Sequence, residues 1–321
     1  MEEKTKISVL VPCYNEEGNV VEICHAIVDQ LQECRPQYDY ELIFIDNDSQ
    51  DNTRPLLREL CKQNPKVKAI FNAKNFGQFN SPYHGILQTT GDCTIFMSCD
   101  FQDPVELIPV MLKEWENGAK IVSPIKTADK ENPIMRLIRT SYYKLIKKMS
   151  SIEQIEHFTG FGLYDKSFVE VLRNLKDPTP FLRGIVAELG YKRVSISYTH
   201  AKRRAGKSHN NFITLFDAAM LSFTSYTKVG LHLVTIAGMV ISALSFLIAL
   251  FYLVYKLIFW NTFSAGLAPL VVGMFFLGGL QLLFIGFVGE YVMSINTRVM
   301  NRPLVIEEER LNFNSGNDDE T

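Results

Sequence analysis

Carboxylates and amides stand directly behind several runs of β-branched and apolar residues. Tyr14, Asn15, Glu16 and Glu17 follow Ile7–Val11, Asp46, Asn47 and Asp48 follow Glu41–Ile45, and Ser98, Asp100, Gln102 and Asp103 follow Cys93–Met97. Hard oxygen donors of this kind suit a divalent cation such as Mg²⁺, which takes few protein ligands and shares its coordination with water and substrate phosphates. A nucleotide diphosphate meets that need. Asp46 is placed to hold a base or ribose, and Asp100 with Gln102 to hold a metal that bridges the diphosphate. One such cluster reads as a solvated loop or a helix cap, but a set of them at strand ends points to a site.

The elements that must position these groups alternate. Strands are expected at Ile7–Val11, Glu41–Ile45, Val67–Phe71, Cys93–Met97 and Lys120–Ser123. Helices are expected at Asn19–Gln32, where Val20, Ile23, Ile27 and Leu31 share a face, at Thr53–Gln63 and around Ser81–Gln88. This alternation predicts an α/β fold with a mostly parallel, doubly wound sheet, in which ligands bind outside the carboxyl ends of the strands. Short strand-like pieces and a basic cluster, Lys202, Arg203, Arg204 and Lys207, are read between Leu182 and Gly206.

The chain has 321 residues and a formal net charge of −2, without the basic excess of a dedicated nucleic-acid binder. At 47% hydrophobic and 21% charged residues it is not a disordered chain. The six cysteines form no Cys-x-x-Cys pair and are expected to be reduced, mostly buried thiols rather than zinc ligands. The short apolar run ending at Pro12 reads as a first buried strand, not as a signal peptide. No internal repeat is visible.

Apolar residues accumulate late. Leu233–Tyr255 and Ala265–Val288 carry no charge and reach the roughly 20 residues a membrane span needs. The short link Lys256–Ser264 makes them a transmembrane hairpin. Gly238, Gly273, Gly278, Gly279, Gly286 and Gly289 suit close helix packing. Lys228 before the first span, and Arg298 and Arg302 after the second, place both termini in the cytoplasm. Asn211–Leu231 reads either as a core helix or as an interfacial amphipathic helix. Met135–Met149, with Lys144, Lys147 and Lys148, reads as an interfacial helix or a solvated face. The expected organisation is a cytoplasmic domain over 1–210, a juxtamembrane helix over 211–231, the hairpin over 232–291 (spans 233–256 and 265–289) and a cytoplasmic tail over 292–321. Its acidic end, Glu307–Thr321, is expected to be disordered.

The motifs Val11–Glu17 (VPCYNEE), Phe44–Thr53 (FIDNDSQDNT), Asn75–Gly77 (NFG) and Asp100–Pro104 (DFQDP) resemble the inverting family-2 glycosyltransferases, in particular their polyprenyl-phosphate branch. Phe181–Gly184 (FLRG), Arg203–Ser208 (RRAGKS), Gly289–Tyr291 (GEY) and Arg302-Pro303 extend the likeness over almost the whole chain, and their common order makes it specific. The resemblance implies a GT-A (Rossmann-like) fold followed by interfacial amphipathic helices and a two-helix transmembrane hairpin. It implies a nucleotide-sugar site at Pro12, Tyr14, Glu16, Asp46, Asn75, Gly77 and Asp100, and Mg²⁺ or Mn²⁺ at Asp100 and Gln102. Catalytic roles fall to Asp100, Asp103 and Arg203, and acceptor-phosphate contacts to Arg203, Ser208, Lys126 and Arg139. The implied partners are a nucleotide-diphosphate sugar, a polyprenyl (undecaprenyl) phosphate, membrane lipid and further copies of the chain, as a homotetramer. The sequence departs from the family pattern at Asn47, where many relatives have Asp, at Ser98, the first position of the Asp-x-Asp run, and at Gly160.

These departures leave the chemistry possible. A phosphate monoester is largely a dianion near neutral pH and attacks an anomeric carbon without a strong base. The larger task is electrostatic: bringing anions together and stabilising the departing diphosphate. Two other readings stand beside this one. Transfer to a polysaccharide or another lipid has less support, because the chain lacks a Gln-x-x-Arg-Trp run and shows only two spans. A non-catalytic nucleotide-sugar-binding subunit would account for the three departures, against the retention of Asp46, Asp100, Gln102, Asp103 and Arg203.

Overall fold

The computed structural model describes residues 4–126, 155, 158–199, 229–258 and 267–313. The helix expected at 135–149, residues 211–228 of the one expected at 211–231, and Arg139, Arg203 and Ser208 lie outside the described residues. What is described falls into two compact units, one built on the sheet and one holding the two long C-terminal helices.

The first unit carries an eight-stranded sheet: β1 (Lys6–Cys13), β2 (Asp39–Asp46), β3 (Val67–Asn72), β4 (Cys93–Phe96), β5 (Ile121–Lys126), β6 (Gly162–Asp165), β7 (Arg193–Tyr198) and β8 (Glu307–Leu311). Their order is β7-β5-β6-β4-β1-β2-β3-β8. β6 pairs antiparallel with β4 and β5, and β8 pairs antiparallel with β3; the other pairings are parallel. The sheet is therefore mixed, as the expected parallel core with an inserted strand and an added edge.

Alternation along the buried strands feeds separate cores on the two faces. Val9, Val11, Leu42 and Phe44 pack with α1 (Val20–Cys34), α2 (Thr53–Gln63) and α4 (Ile108–Glu116). Leu10, Ile43 and Ile45 pack with α3 (Gly77–Leu87), α5 (Lys166–Leu175) and α6 (Leu182–Glu188). Period-2 strands buried on both sides and helices with apolar residues at i, i+3 and i+7 are what a doubly wound sheet requires. Of the region from about Leu182 to Gly206, expected to hold short strand-like pieces, Arg193–Tyr198 is strand β7, whereas Leu182–Glu188 is a helix that buries Ile185 and Val186. β6 was not legible as a strand; at its first residue a Cβ on Gly162 would run into the Val122 carbonyl oxygen of β5, so only glycine lets the strands approach.

The acidic segment expected to be disordered supplies β8 at Glu307–Leu311, and residues 314–321 lie outside the described residues. Its Glu309 pairs with Arg58 (2.7 Å), Glu308 with Arg54 (2.9 Å) and Glu307 with His84 (2.5 Å). The three carboxylates meet the guanidinium groups of Arg54 and Arg58 on α2 and the His84 ring on α3, which offsets the self-repulsion that makes an isolated acidic run disordered. Burial works to raise the Glu307 carboxyl, but hydrogen bonds from His84 and Arg310 outweigh it and bring it to about 2.

All six cysteines are free thiols, as expected, with Cys34 half-buried and the others buried. Burial pushes Cys24 and Cys61 up to about 12, so neither is a reactive thiolate.

In the second unit, α7 (Val229–Ile258) and α8 (Leu267–Met300) are continuous helices of 30 and 34 residues. Leu247, Phe251, Leu282 and Leu283 are exposed. Among the described residues one stretch, Phe276–Met300, is long and apolar enough to cross a membrane, with a mean hydropathy of 1.6.

Candidate active site

β1, β2 and β3 succeed one another on one side, and the chain then crosses to place β4 on the other side of β1. The crevice at the carboxyl ends of β1 and β4 is thus the topological switch point, where an open α/β sheet binds its ligands. Cys13 and Asp46 are register partners at the ends of β1 and β2, so the loops after these strands start side by side. Backbone strain marks the same edge. Asn15 (φ 55°), Asp48 (φ 67°) and Phe101 (φ 58°), each just beyond β1, β2 or β4, adopt the left-handed region. Non-glycine residues are held there only when their surroundings dictate it, and functional loops are where this concentrates.

The surroundings are explicit for the first two loops. The Ser49 hydroxyl accepts from Asn15 N (2.9 Å), Asn15 Oδ1 accepts from Gln50 N (2.8 Å), and the Thr53 hydroxyl accepts from Glu16 N (2.8 Å). Asp51 takes Glu17 N (3.1 Å), and Glu17 in turn takes Asn52 N (3.0 Å). Glu16 is buried and its Oε2 accepts from Asn19 Nδ2 (2.6 Å) at the start of α1. Pro12 and Tyr14 are half-buried on the same loop.

Asp46 is the most enclosed group of the site, with relative exposure of 0%. Its Oδ2 accepts from Arg54 Nε (2.7 Å) and Ser49 N (3.2 Å). Its Oδ1 is buried and has no hydrogen-bond partner among the described residues. A buried carboxylate oxygen without a partner is costly unless a ligand completes it. Arg54 is itself fixed from three directions, donating to Asp46, to the Asn72 carbonyl (2.6 Å) and to Glu308 (2.9 Å). Burial disfavours its charge, but the Asp46 and Glu308 carboxylates overcome that and raise its pKa. Arg54 escaped the sequence reading. The available signal was its place in the first turn of α2, where a cation opposes the helix dipole and needs a reason to be there.

After β4, Asp100 is buried and its Oδ1 accepts from Gln102 N (3.2 Å), which folds the Asp100–Gln102 turn on itself. Asp103 is differently used. Its Oδ2 accepts from both the backbone N (3.0 Å) and hydroxyl (2.6 Å) of Ser98, and its Oδ1 from Tyr198 Oη (3.2 Å) at the end of β7. Ser98, where the family pattern has Asp, is thus turned onto Asp103, and a second carboxylate in that place would repel it. Tyr198 was also missed, because nothing local marks a tyrosine 95 residues away as a partner of Asp103. Lys126 ends β5 beside Tyr198 and is half-buried at the same edge. Gly160 holds φ at 99°, a conformation in which an aspartate would be strained.

Asn75 and Gly77 are exposed in the loop after β3. Asn47 binds that loop to β2: its side chain donates to Asn75 Oδ1 (2.9 Å) and to the Gly77 carbonyl (3.3 Å).

The donor set tests the expected cation. No group of three or more His, Cys, Asp or Glu side chains forms a metal cage among the described residues. Asp100 and the Gln102 amide are the hard oxygen donors this loop offers beside Asp103, whose carboxylate oxygens are taken by Ser98 and Tyr198, and Asp100 Oδ1 itself accepts from Gln102 N. This set fits Mg²⁺ or Mn²⁺ carried mainly by substrate phosphates and water, and it does not fit a closed structural site.

Comparison with known proteins bears on what this edge does. The model of the glycosyl transferase family 2 matches residues 8–173, which spans β1 through most of α5. The SfII prophage-derived bactoprenol glucosyl transferase of Shigella flexneri is 32% identical over 303 residues, covering 94% of this chain and 97% of that one. A prophage bactoprenol glucosyl transferase homolog of Escherichia coli K12 is 30% identical over 94% of this chain and 98% of its own length. Among solved structures, the mannosyl-3-phosphoglycerate synthase of Rubrobacter xylanophilus aligns over 68% of this chain and 71% of that one, at 16% identity and a TM-score of 0.48. With more than half of the residues matched by the family model, and a relative at 32% identity aligned along nearly its full length, this chain belongs to glycosyl transferase family 2.

Proposed function

We propose that this chain transfers a single sugar, with inversion, from a uridine-diphosphate sugar to a polyprenyl (undecaprenyl) phosphate at a membrane surface. The observation that carries the donor assignment is the single open oxygen of Asp46. Its Oδ2 is filled by Arg54 and Ser49, and its Oδ1 is buried without a partner among the described residues. One acceptor suits uracil, whose single imide N–H lies between carbonyls. Guanine presents adjacent N1–H and N2–H donors and needs both oxygens of a carboxylate. The acceptor assignment rests on the relatives named for bactoprenol, which align over 94% of this chain.

In this reading the acceptor phosphate oxygen attacks the anomeric carbon from the face opposite the leaving group. The bond from that carbon to the diphosphate oxygen breaks, and UDP departs with the electron pair. Asp46, with Pro12, Tyr14 and Glu16 around it and the Asn75–Gly77 loop beside it, holds the nucleotide. Asp100 and Gln102 would hold Mg²⁺ or Mn²⁺, which would supply positive charge to the diphosphate. Asp103 acts at one remove, holding Ser98 and Tyr198 so that the 98–103 loop keeps its shape. Lys126, Arg139, Arg203 and Ser208 meet the acceptor phosphate.

The same proposal assigns the membrane arrangement. An isoprenoid tail does not leave the bilayer, so the enzyme has to reach its surface. α7 and α8 would form a two-pass hairpin, each containing an uncharged stretch long enough to span, with Lys228, Arg298 and Arg302 on the cytoplasmic side. The sheet domain and both termini then face the cytoplasm of the inner or plasma membrane, and the chain assembles as a homo-oligomer.

The test is direct. Detergent-purified protein is incubated with Mg²⁺ or Mn²⁺, undecaprenyl phosphate and a panel of UDP- and GDP-sugars, and lipid products are read by mass spectrometry. The expected result is one glycosylated lipid from a UDP-sugar, dependent on the cation and reduced about a hundredfold or more in Asp100→Ala. Full activity in Asp100→Ala would sink the site assignment. Nucleotide binding without product on any lipid phosphate would favour a non-catalytic subunit.

A further inference from the structure

We infer that Asn47 is a positioning residue for the nucleotide-sugar donor, and that its amide is the specific device that ties the loop after β3 to the carboxylate of Asp46. The inference deepens the donor assignment above and rests on it.

An asparagine side chain has two N–H donors and two acceptor lone pairs. At Asn47 all four are used. Oδ1 accepts from Asn72 Nδ2 (3.1 Å) and from the backbone N of Phe76 (2.9 Å). Nδ2 donates to Asn75 Oδ1 (2.9 Å) and to the backbone carbonyl of Gly77 (3.3 Å). The orientation of the amide is dictated by groups that cannot exchange roles: a backbone N–H can only donate, and a backbone carbonyl can only accept. A side chain that is 8% exposed and fully bonded inside the protein has nothing left for a ligand. Its function is therefore exerted on its neighbours.

Those neighbours are the expected donor-binding groups. Asn75 and Gly77 belong to the loop that Asn47 pins. On its own strand, Asn47 follows Asp46 directly, and its backbone N donates to the Cys13 carbonyl (2.9 Å) at the end of β1. The residue after the nucleotide carboxylate is thus clamped to β1 by its main chain and to the β3–α3 loop by its side chain. Asn72 extends the clamp, donating also to the Ser81 hydroxyl (2.9 Å) inside α3. This clamp fixes the main chain next to Asp46 against the loop after β3.

The amide also explains why this chain has Asn where many relatives have Asp. A carboxylate at this position has no donor. It would set negative oxygens against the Gly77 carbonyl and Asn75 Oδ1, one residue after the Asp46 carboxylate. Substitution by Asp is nearly isosteric, so it alters the clamp with little change of packing volume.

The experiment compares wild type with Asn47→Asp and Asn47→Ala. It measures the UDP dissociation constant by titration calorimetry, the KM for donor and for undecaprenyl phosphate, kcat, and the melting temperature. Asn47→Asp is expected to raise the UDP dissociation constant and the donor KM about tenfold, with kcat and the acceptor KM changed less than about twofold. Asn47→Ala, which deletes the side-chain bonds without adding charge, should move the same constants by a smaller factor. The inference is overturned if Asn47→Asp binds UDP like wild type. It is equally overturned if donor KM, acceptor KM and kcat deteriorate together with the melting temperature, since that is general damage. If wild type binds UDP but makes no glycolipid, the proposed reaction fails while the calorimetric arm still judges Asn47. If wild type binds no nucleotide, both fall.

Discussion

Replacing Arg54 by Ala asks whether the Asp46 carboxylate depends on one cation. The substitution removes the 2.7 Å bond to Asp46, the 2.6 Å bond to the Asn72 carbonyl and the 2.9 Å ion pair with Glu308. It also removes a guanidinium placed 5.6 Å from the Phe71 ring centroid. The side chain of Asp46 is 0% exposed and that of Arg54 16%, whereas that of Glu308 is 56% exposed. Stripping one partner from a buried pair costs about 3–5 kcal/mol, because the remaining charge is left in a poor medium. The Glu308 arm, open to water, contributes under about 1 kcal/mol. A loss of about 3–4 kcal/mol is therefore expected, a large share of a domain's usual stability of roughly 5–15 kcal/mol. The assay is urea unfolding in detergent followed by tryptophan emission. The chain has two tryptophans, so a Trp260→Phe background leaves Trp115, on α4 of the sheet unit, as the reporter. A double-mutant cycle with Asp46→Asn isolates the pair. The double variant should recover about 2 kcal/mol relative to Arg54→Ala, yet bind UDP poorly because Asp46 is gone. A single variant within about 0.5 kcal/mol of its background, with unchanged UDP affinity, would refute the claim that Arg54 holds the nucleotide carboxylate.

Other expectations follow from the frame around the site. Burial works to raise the Glu41 carboxyl, but bonds from Lys68, Ser8, Thr90 and Lys6 outweigh it and bring it from 4.5 to about 2. A depressed folded pKa gives stability that is fully present above about pH 4.5 and lost as pH falls toward 2, worth roughly 3 kcal/mol. Glu41→Gln should lose most of this at neutral pH and show a flatter acid limb in the same urea titration; an unchanged acid limb would contradict the assignment. Gly162→Ala places a methyl against the Val122 carbonyl and should cost roughly 1–3 kcal/mol by forcing β5 and β6 apart, and faster hydrogen exchange at the β5–β6 amides would report it.

The acidic strand β8 changes how the chain's end is understood. It comes after α8 in sequence, yet it completes the sheet edge beside β3 and supplies Glu308 to the cation that holds Asp46. The Asp46 carboxylate is thus supported, through Arg54, by Glu308, a residue 254 positions from Arg54 in the chain. Acidic composition alone suggested a disordered tail, and what reverses that reading for Glu307–Leu311 is the pair of arginines on α2 and the His84 ring on α3 that meet its carboxylates.

Much of the frame was legible because it is local. Short apolar runs mark β1, β2 and β3, which are buried along nearly their whole length, and the spacing of Val20, Ile23, Ile27 and Leu31 marks the buried stripe of α1. Polar runs behind those strands lie on one edge once the strands are parallel, so Asp46, Asp100 and the Tyr14–Glu16 segment were identifiable from order alone. The long apolar stretches likewise announced α7 and α8. What only the tertiary structure decided is pairing. Whether a carboxylate is open, saturated or neutralised depends on which distant side chain reaches it, and that follows from strand order. Asp103 is taken up by Ser98 and by Tyr198 from β7, and Asp46 keeps one open oxygen because Arg54 fills the other. Asn47, a departure from the family pattern when read in sequence, is fully bonded only because Asn72, Asn75, Phe76 and Gly77 fold around it. Periodicity records which way a residue faces, and sheet topology determines what it meets there.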